Sequence, residues 1–239
     1  PIAGETSSTY TSSTLVNGDV ISVQLTSNET CATGNPATSN SIEMTVNPNL
    51  PVSVSITANP GNTICDGTSV TFTASPVNGG SSPAYQWFNG ANPIAGETSS
   101  TYTSSTLVNG DLISVQLTSN ETCATGNPAT SNSIAMTVNS NLPVSVSISA
   151  NPGNTICDGT SVTFTASPVN GGSSPAYQWF NGANPIAGET SSTYTSSTLV
   201  NGDLISVQLT SNETCATGNP ATSNSIAMTV NPNLPVSVS

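Results

Sequence analysis

Thr68-Ser69-Val70-Thr71-Phe72-Thr73-Ala74-Ser75 alternates strictly, with Val70, Phe72 and Ala74 on one side and hydroxyl residues on the other. A period of two marks a β-strand with one face buried. The same eight residues return 92 positions later, from Thr160 to Ser167. Both the fold class and the organisation of the chain follow from this stretch.

Upstream, Val52, Val54 and Ile56 alternate with Ser53, Ser55 and Thr57 to give a first strand. Asn59-Pro60-Gly61-Asn62 ends it, and Cys65-Asp66-Gly67 completes a connection of turn formers. Downstream, residues 76–83 read as a loop and Ala84-Tyr85-Gln86-Trp87-Phe88 as a strand with Tyr85 and Trp87 on one side. Asn89-Gly90 is a turn signal, followed by a strand over 100–105 that carries Tyr102, and by Leu107 as a core plug. After Asn109-Gly110-Asp111 comes a strand with Ile113, Val115 and Leu117 inward. A polar loop over 119–131 then leads to a last strand, in which Ile134, Met136 and Val138 alternate with Ala135 and Thr137. Seven or so short strands and no helical periodicity, in about 90 residues, describe an all-β, two-sheet antiparallel sandwich large enough to bury its own core.

The whole chain is built on the period of 92. Pro1-Ile2-Ala3-Gly4-Glu5 recurs at Pro93 and Pro185, and Pro51-Val52-Ser53-Val54-Ser55 recurs at Pro143 and Pro235. Copies differ at Val20, Leu112 and Leu204; at Glu43, Ala135 and Ala227; at Pro48, Ser140 and Pro232; and at Thr57 and Ser149. The expected organisation is the C-terminal part of a copy over 1–47, complete copies over 51–139 and 143–231, and the first strand of another over 235–239, a window onto a longer array. Asn139-Ser140-Asn141-Leu142-Pro143 reads as a short, stiff linker.

Lysine, arginine and histidine are absent, while 12 carboxylates give a net charge of -12. Lys and Arg supply most nucleic-acid affinity and most attraction to anionic membranes, so neither is an expected partner. Apolar residues make up 34% of the chain and are patterned, which points to a folded protein rather than a disordered one. No apolar run approaches the ~20 residues of a membrane-spanning helix. A serine nucleophile would have no His or Lys as its base, and the cysteines are too sparse for zinc. Only a carboxylate pair remains for catalysis, and the expectation is a protein that is not an enzyme.

The ordered series Gly67-Thr68-Ser69-Val70-Thr71-Phe72-Thr73-Ala74, Tyr85-Gln86-Trp87, Ser100-Thr101-Tyr102-Thr103 and Asn109-Gly110-Asp111 resembles an immunoglobulin-like domain. It is closest to the Ig-like and PKD-like repeats of large surface and gliding-adhesin-type proteins of the Cytophaga and Flavobacterium kind. The resemblance covers every residue. It implies tandem Ig-like sandwich domains joined by short linkers, secretion to the cell surface, and a stalk or adhesive role. Ala74 and Val115 or Gln116 stand where an antibody domain has its core cysteines, so antigen-type recognition is not implied.

Each copy carries two cysteines 58 residues apart, Cys65 with Cys123 and Cys157 with Cys215, and Cys31 is the second cysteine of its copy. Two per unit in a surface protein indicates disulfides. In an Ig-like sandwich the strand after Cys65 and the strand before Cys123 run in the same direction. That puts the two cysteines at opposite ends, roughly 25 Å apart, whereas a disulfide needs Cα atoms within about 7 Å. A bond from Cys65 to Cys215 of the neighbouring copy is expected; pairing within a copy (Cys65 with Cys123, Cys157 with Cys215) and free thiols are the alternatives. The same geometry places Asp66, Asp111 and Glu213 as candidate calcium ligands at a junction, although no Asp-x-Asp-x-Asp-Gly loop is present. No other cofactor is expected. Asn28-Glu29-Thr30, with copies at Asn120 and Asn212, is a glycosylation sequon. Phe88 points opposite to Trp87 and is a candidate binding residue for glycans.

The expected function is a structural repeat segment of a secreted or surface-anchored fibre that spaces an adhesive tip from the cell. The alternative is an array recognising glycans or neighbouring fibres through many weak contacts. Expected partners are neighbouring repeats, other fibres of the same protein and surface glycans.

Overall fold

The computed structural model describes residues 1–236, and every regular element among them is a β-strand. The chain is all-β and consists of tandem Ig-like antiparallel sandwiches with short linkers. It divides into two compact units. One comprises Pro1–Thr57, Phe72–Tyr102 and Ile113–Ile134; the other comprises Ala58–Thr71, Thr103–Leu112 and the chain from Ala135 onward. The division does not follow the sequence period, because copy 51–139 contributes to both units.

Copy 143–231 lies whole in the second unit and shows the sandwich completely. Ser145–Asn151 runs antiparallel to Val162–Val169, which pairs on its other edge with Thr193–Ser196. The opposing sheet orders Asn184–Pro185, Ala176–Asn181, Leu204–Thr210 and Ala221–Thr222, with Ile226–Ala227 also on Leu204–Thr210. The alternation seen in the sequence becomes the interior. Val146, Ile148, Val162, Phe164 and Ala166 of the first sheet face Trp179, Ile205, Val207 and Leu209 of the second. Trp179 has no exposed surface and packs against both Phe164 and Tyr194, with centroids at 6.2 and 5.8 Å. Its indole N–H donates to the Ser191 carbonyl at 2.9 Å, which removes the penalty of burying a polar group.

The last strand is not one strand. Ile226–Ala227 pairs antiparallel with Leu204–Thr210, whereas Thr229–Asn231 pairs parallel with Thr155–Cys157. At the break, the Met228 N–H donates to the Asp203 carbonyl and its own carbonyl accepts from the Gly202 N–H. The switch carries the C-terminal end of the copy to its cysteine-bearing first connection.

The loop before Cys215 is fastened to the 170–174 loop. Ser211 Oγ donates to the Asn170 carbonyl at 2.6 Å, and Asn212 Oδ1 accepts from the Ser174 N–H at 3.0 Å. Gly172 has φ +85, and a Cβ there would collide with that Asn212 amide. Glycine is required both for the backbone and for the space.

In the first unit, Phe72 stacks on Tyr102 at 5.8 Å, and Trp87 lies opposite Val115 in the antiparallel pair of Ala84–Asn89 with its neighbour. Val115 and Leu117 are fully buried, whereas their counterparts Val23 and Leu25 are 58% and 67% exposed. Residues 1–47 contain no counterpart of Phe72 or Trp87, and form only two-residue strands such as Val20–Ile21 with Ile42–Glu43.

Candidate functional site at the linker 139–143

The linker is not a free loop: Asn139 ends one strand, Leu142–Pro143 forms another, and each is paired. Thr63–Cys65 runs parallel to Thr137–Asn139 with Cys65 level with Asn139. The Asp66 N–H donates to the Asn139 carbonyl at 2.9 Å, and Asn141 Nδ2 donates to the Asp66 carbonyl at 3.1 Å. Gly67, at φ 80, turns the chain there so that the Thr68 N–H reaches the Cys65 carbonyl. At the far end of the linker, Leu142–Pro143 runs parallel to Ala216–Thr217. The Leu142 N–H donates to the Cys215 carbonyl at 2.9 Å, and the Val144 N–H to the Thr217 carbonyl at 2.8 Å. Pro143 fits because a strand of two residues at an edge needs no donor from it.

Cys65 and Cys215 therefore flank the linker, one on each partner segment, and a disulfide joins them. The Cα atoms are 5.4 Å apart and the residues are 150 positions apart in sequence. Pairing within a copy is not formed: Cys123 and Cys157 are free and exposed, as is Cys31. The cause lies in the strand switch. It brings Asn139 beside Cys65, and the linker then runs directly onto the loop of the following copy that carries Cys215.

The cysteine environments recur without the bond. At Cys157 the Asp158 N–H donates to the Asn231 carbonyl at 2.9 Å, and Asn233 Nδ2 to the Asp158 carbonyl at 3.1 Å. At Cys123 the Leu50 N–H donates to its carbonyl at 3.1 Å, and Leu50–Pro51 runs parallel to Ala124–Thr125. Cys31, Cys123 and Cys215 all have positive φ, at 70, 65 and 64. The local sequence thus builds each half of the cradle, and the disulfide joins two halves already shaped.

The three carboxylates do not gather. Among the described residues no group of three or more His, Cys, Asp or Glu is placed to hold a metal ion. Asp111 Oδ2 turns into its own loop and accepts from the Val108 N–H at 2.9 Å; Asp203 does the same with Val200. Asp66 joins the cradle through its backbone, while the Asp66 and Glu213 residues are exposed. Phe88 is half-buried rather than exposed, opposite Pro93 on one side and Ser114 on the other, so it forms no open aromatic platform. Sequence reasoning passed over Asn139 and Asn141. Their signal was the return of Asn-x-Asn-Leu-Pro directly after each last strand, at 47–51, 139–143 and 231–235. No helix among the described residues is long and apolar enough to cross a membrane.

No protein-family model matches the chain, and no curated protein matches it. Among solved structures, it is similar to the three N-terminal domains of the bacteriophage RB49 Highly Immunogenic Outer Capsid protein (Hoc). The identity is 16% and the TM-score 0.34, and the match covers 75% of this chain and 59% of that one.

Proposed function

We propose that the chain is a load-bearing repeat segment of a secreted or surface-anchored fibre, which holds an adhesive tip away from the cell. The observation that carries the reading is the disulfide between Cys65 and Cys215 across a linker already paired on both sides. A cross-link of neighbouring copies adds nothing to a catalytic cleft, but it stiffens a junction that tension must cross. Structural disulfides persist in oxidising surroundings, which supports a location outside the cell. A surface with 12 carboxylates and no basic side chain keeps such fibres soluble through self-repulsion and offers no purchase for nucleic acid. Outward strand positions such as Ser145, Ser147 and Thr165 are exposed hydroxyl residues, as on a solvated spacer.

The immobilised chain, presented to a broad glycan array and to a second, soluble copy of itself, is expected to show no saturable binding. Saturable binding to a glycan class would replace the spacer with an array of weak binding units.

A further inference from the structure

We propose that the Cys65–Cys215 disulfide is a covalent shunt that limits how far the segment can be drawn out under tension; this rests on the stalk reading for its biological meaning. A chain pulled at its ends would, without the bond, transmit force through every residue of both copies. With the bond, force reaching Cys65 crosses to Cys215, 150 positions further along, and bypasses the chain between them. The bypassed part holds the linker 139–143, the strands Val70–Val77, Ala84–Asn89 and Leu112–Thr118 of one copy, and Ser145–Asn151, Val162–Val169 and Leu204–Thr210 of the next. The main core strands of both copies, Ser53–Asn59 excepted, therefore lie on an unloaded loop. Load falls on Ser53–Asn59 before Cys65 and on the short strands after Cys215, ending in Thr229–Asn231. The linker 139–143 lies on the same unloaded loop.

Cys157 gives the device its second property. It lies inside the bypassed loop, and its backbone cradle matches that of Cys65 in both the Asp158–Asn231 and Asn233–Asp158 hydrogen bonds. A bond from Cys157 to the cysteine of a following copy that corresponds to Cys215 would interleave with the first disulfide rather than come after it. The shortest covalent path between the two bonds is then the 58 residues from Cys157 to Cys215, not a full period of 92.

Single-molecule pulling of the full chain between end-attached handles tests this. At about 3.5 Å per residue, complete unfolding of the oxidised chain is expected to fall short of the reduced chain by about 500 Å. Cys65→Ser should reach the reduced length without reductant, while Cys123→Ser and Cys157→Ser keep the oxidised length. In a chain lengthened by one more copy of residues 140–231, the oxidised length should rise by about 200 Å and the reduced length by about 320 Å. Equal lengths with and without reductant would overturn the shunt, and an increment of about 320 Å in the oxidised chain would overturn the interleaving. These lengths do not depend on what the fibre does, so glycan binding could refute the stalk reading and leave the shunt standing.

Discussion

Trp179→Ala is expected to destabilise copy 143–231 by about 3–5 kcal/mol, the range for emptying a fully enclosed aromatic site. Trp179 is the largest side chain of that copy with no exposed surface, and it touches both sheets. Its removal deletes the contacts with Phe164 and Tyr194 and leaves the Ser191 carbonyl without its indole donor. The surrounding strands are pinned by ladders on both edges and have little freedom to collapse into the space. Trp87, the only other tryptophan, then reports the first copy alone. In denaturant the variant should show an early transition by circular dichroism, with Trp87 fluorescence changing later. A midpoint shift equivalent to less than about 1 kcal/mol would mean that the aromatic trio does not organise the core.

Cys65→Ser is expected to produce the second large effect. Closing a loop of 150 residues removes denatured-state entropy worth about 5 kcal/mol at 25 °C by the chain-entropy relation, and measured disulfides deliver about 2–5 kcal/mol. The full figure applies only when both copies unfold together, because the bond constrains one loop made from parts of both. Loss of the bond should therefore lower the midpoint and also separate the transitions of the two copies. Cys123→Ser and Cys157→Ser remove exposed thiols and should stay within about 0.5 kcal/mol of the parent. If Cys65→Ser behaved like Cys123→Ser, the junction would carry no stabilisation.

The sandwich was legible because burial on one face writes itself as alternation. Val70, Phe72, Trp87, Ile113, Val115 and Leu117 sit inside as their spacing says. Alternation reports which face a residue occupies, not which neighbour its backbone pairs with. The last strand therefore read as continuous, although at Met136 the backbone turns to bond Gly110 and Asp111 while the inward pattern carries on. Short elements leave no period to read. Ala124–Thr125 and Ala129–Thr130 lie within what looked like a polar loop, and Leu142–Pro143 within what looked like a linker.

At the site, strand direction pointed away from Cys123 and toward Cys215, since it depends only on topology. The repeat of Asn-x-Asn-Leu-Pro marks Asn139 and Asn141 without giving their role, which requires the strand switch to bring Asp66 beside them. The carboxylates misled for the opposite reason. Their meeting at a junction was read without the local turn in which Asp111 caps Val108. Phe88 has the outward position its parity demands, yet Pro93 across the ladder leaves it only half exposed.

The stapled junction and the tether rest on one covalent bond, and non-reducing peptide mapping tests it most directly. Trypsin has no site in a chain without Lys or Arg, but cleavage after glutamate separates the cysteines usefully. Cys65 falls in 44–97 and Cys215 in 214–239, while Cys123 and Cys157 share 122–189. The native chain, alkylated before digestion, should yield 44–97 joined to 214–239, with labels on Cys31, Cys123 and Cys157. Recovery of 44–97 joined to 122–189 would contradict the stapled junction and the tether built on it.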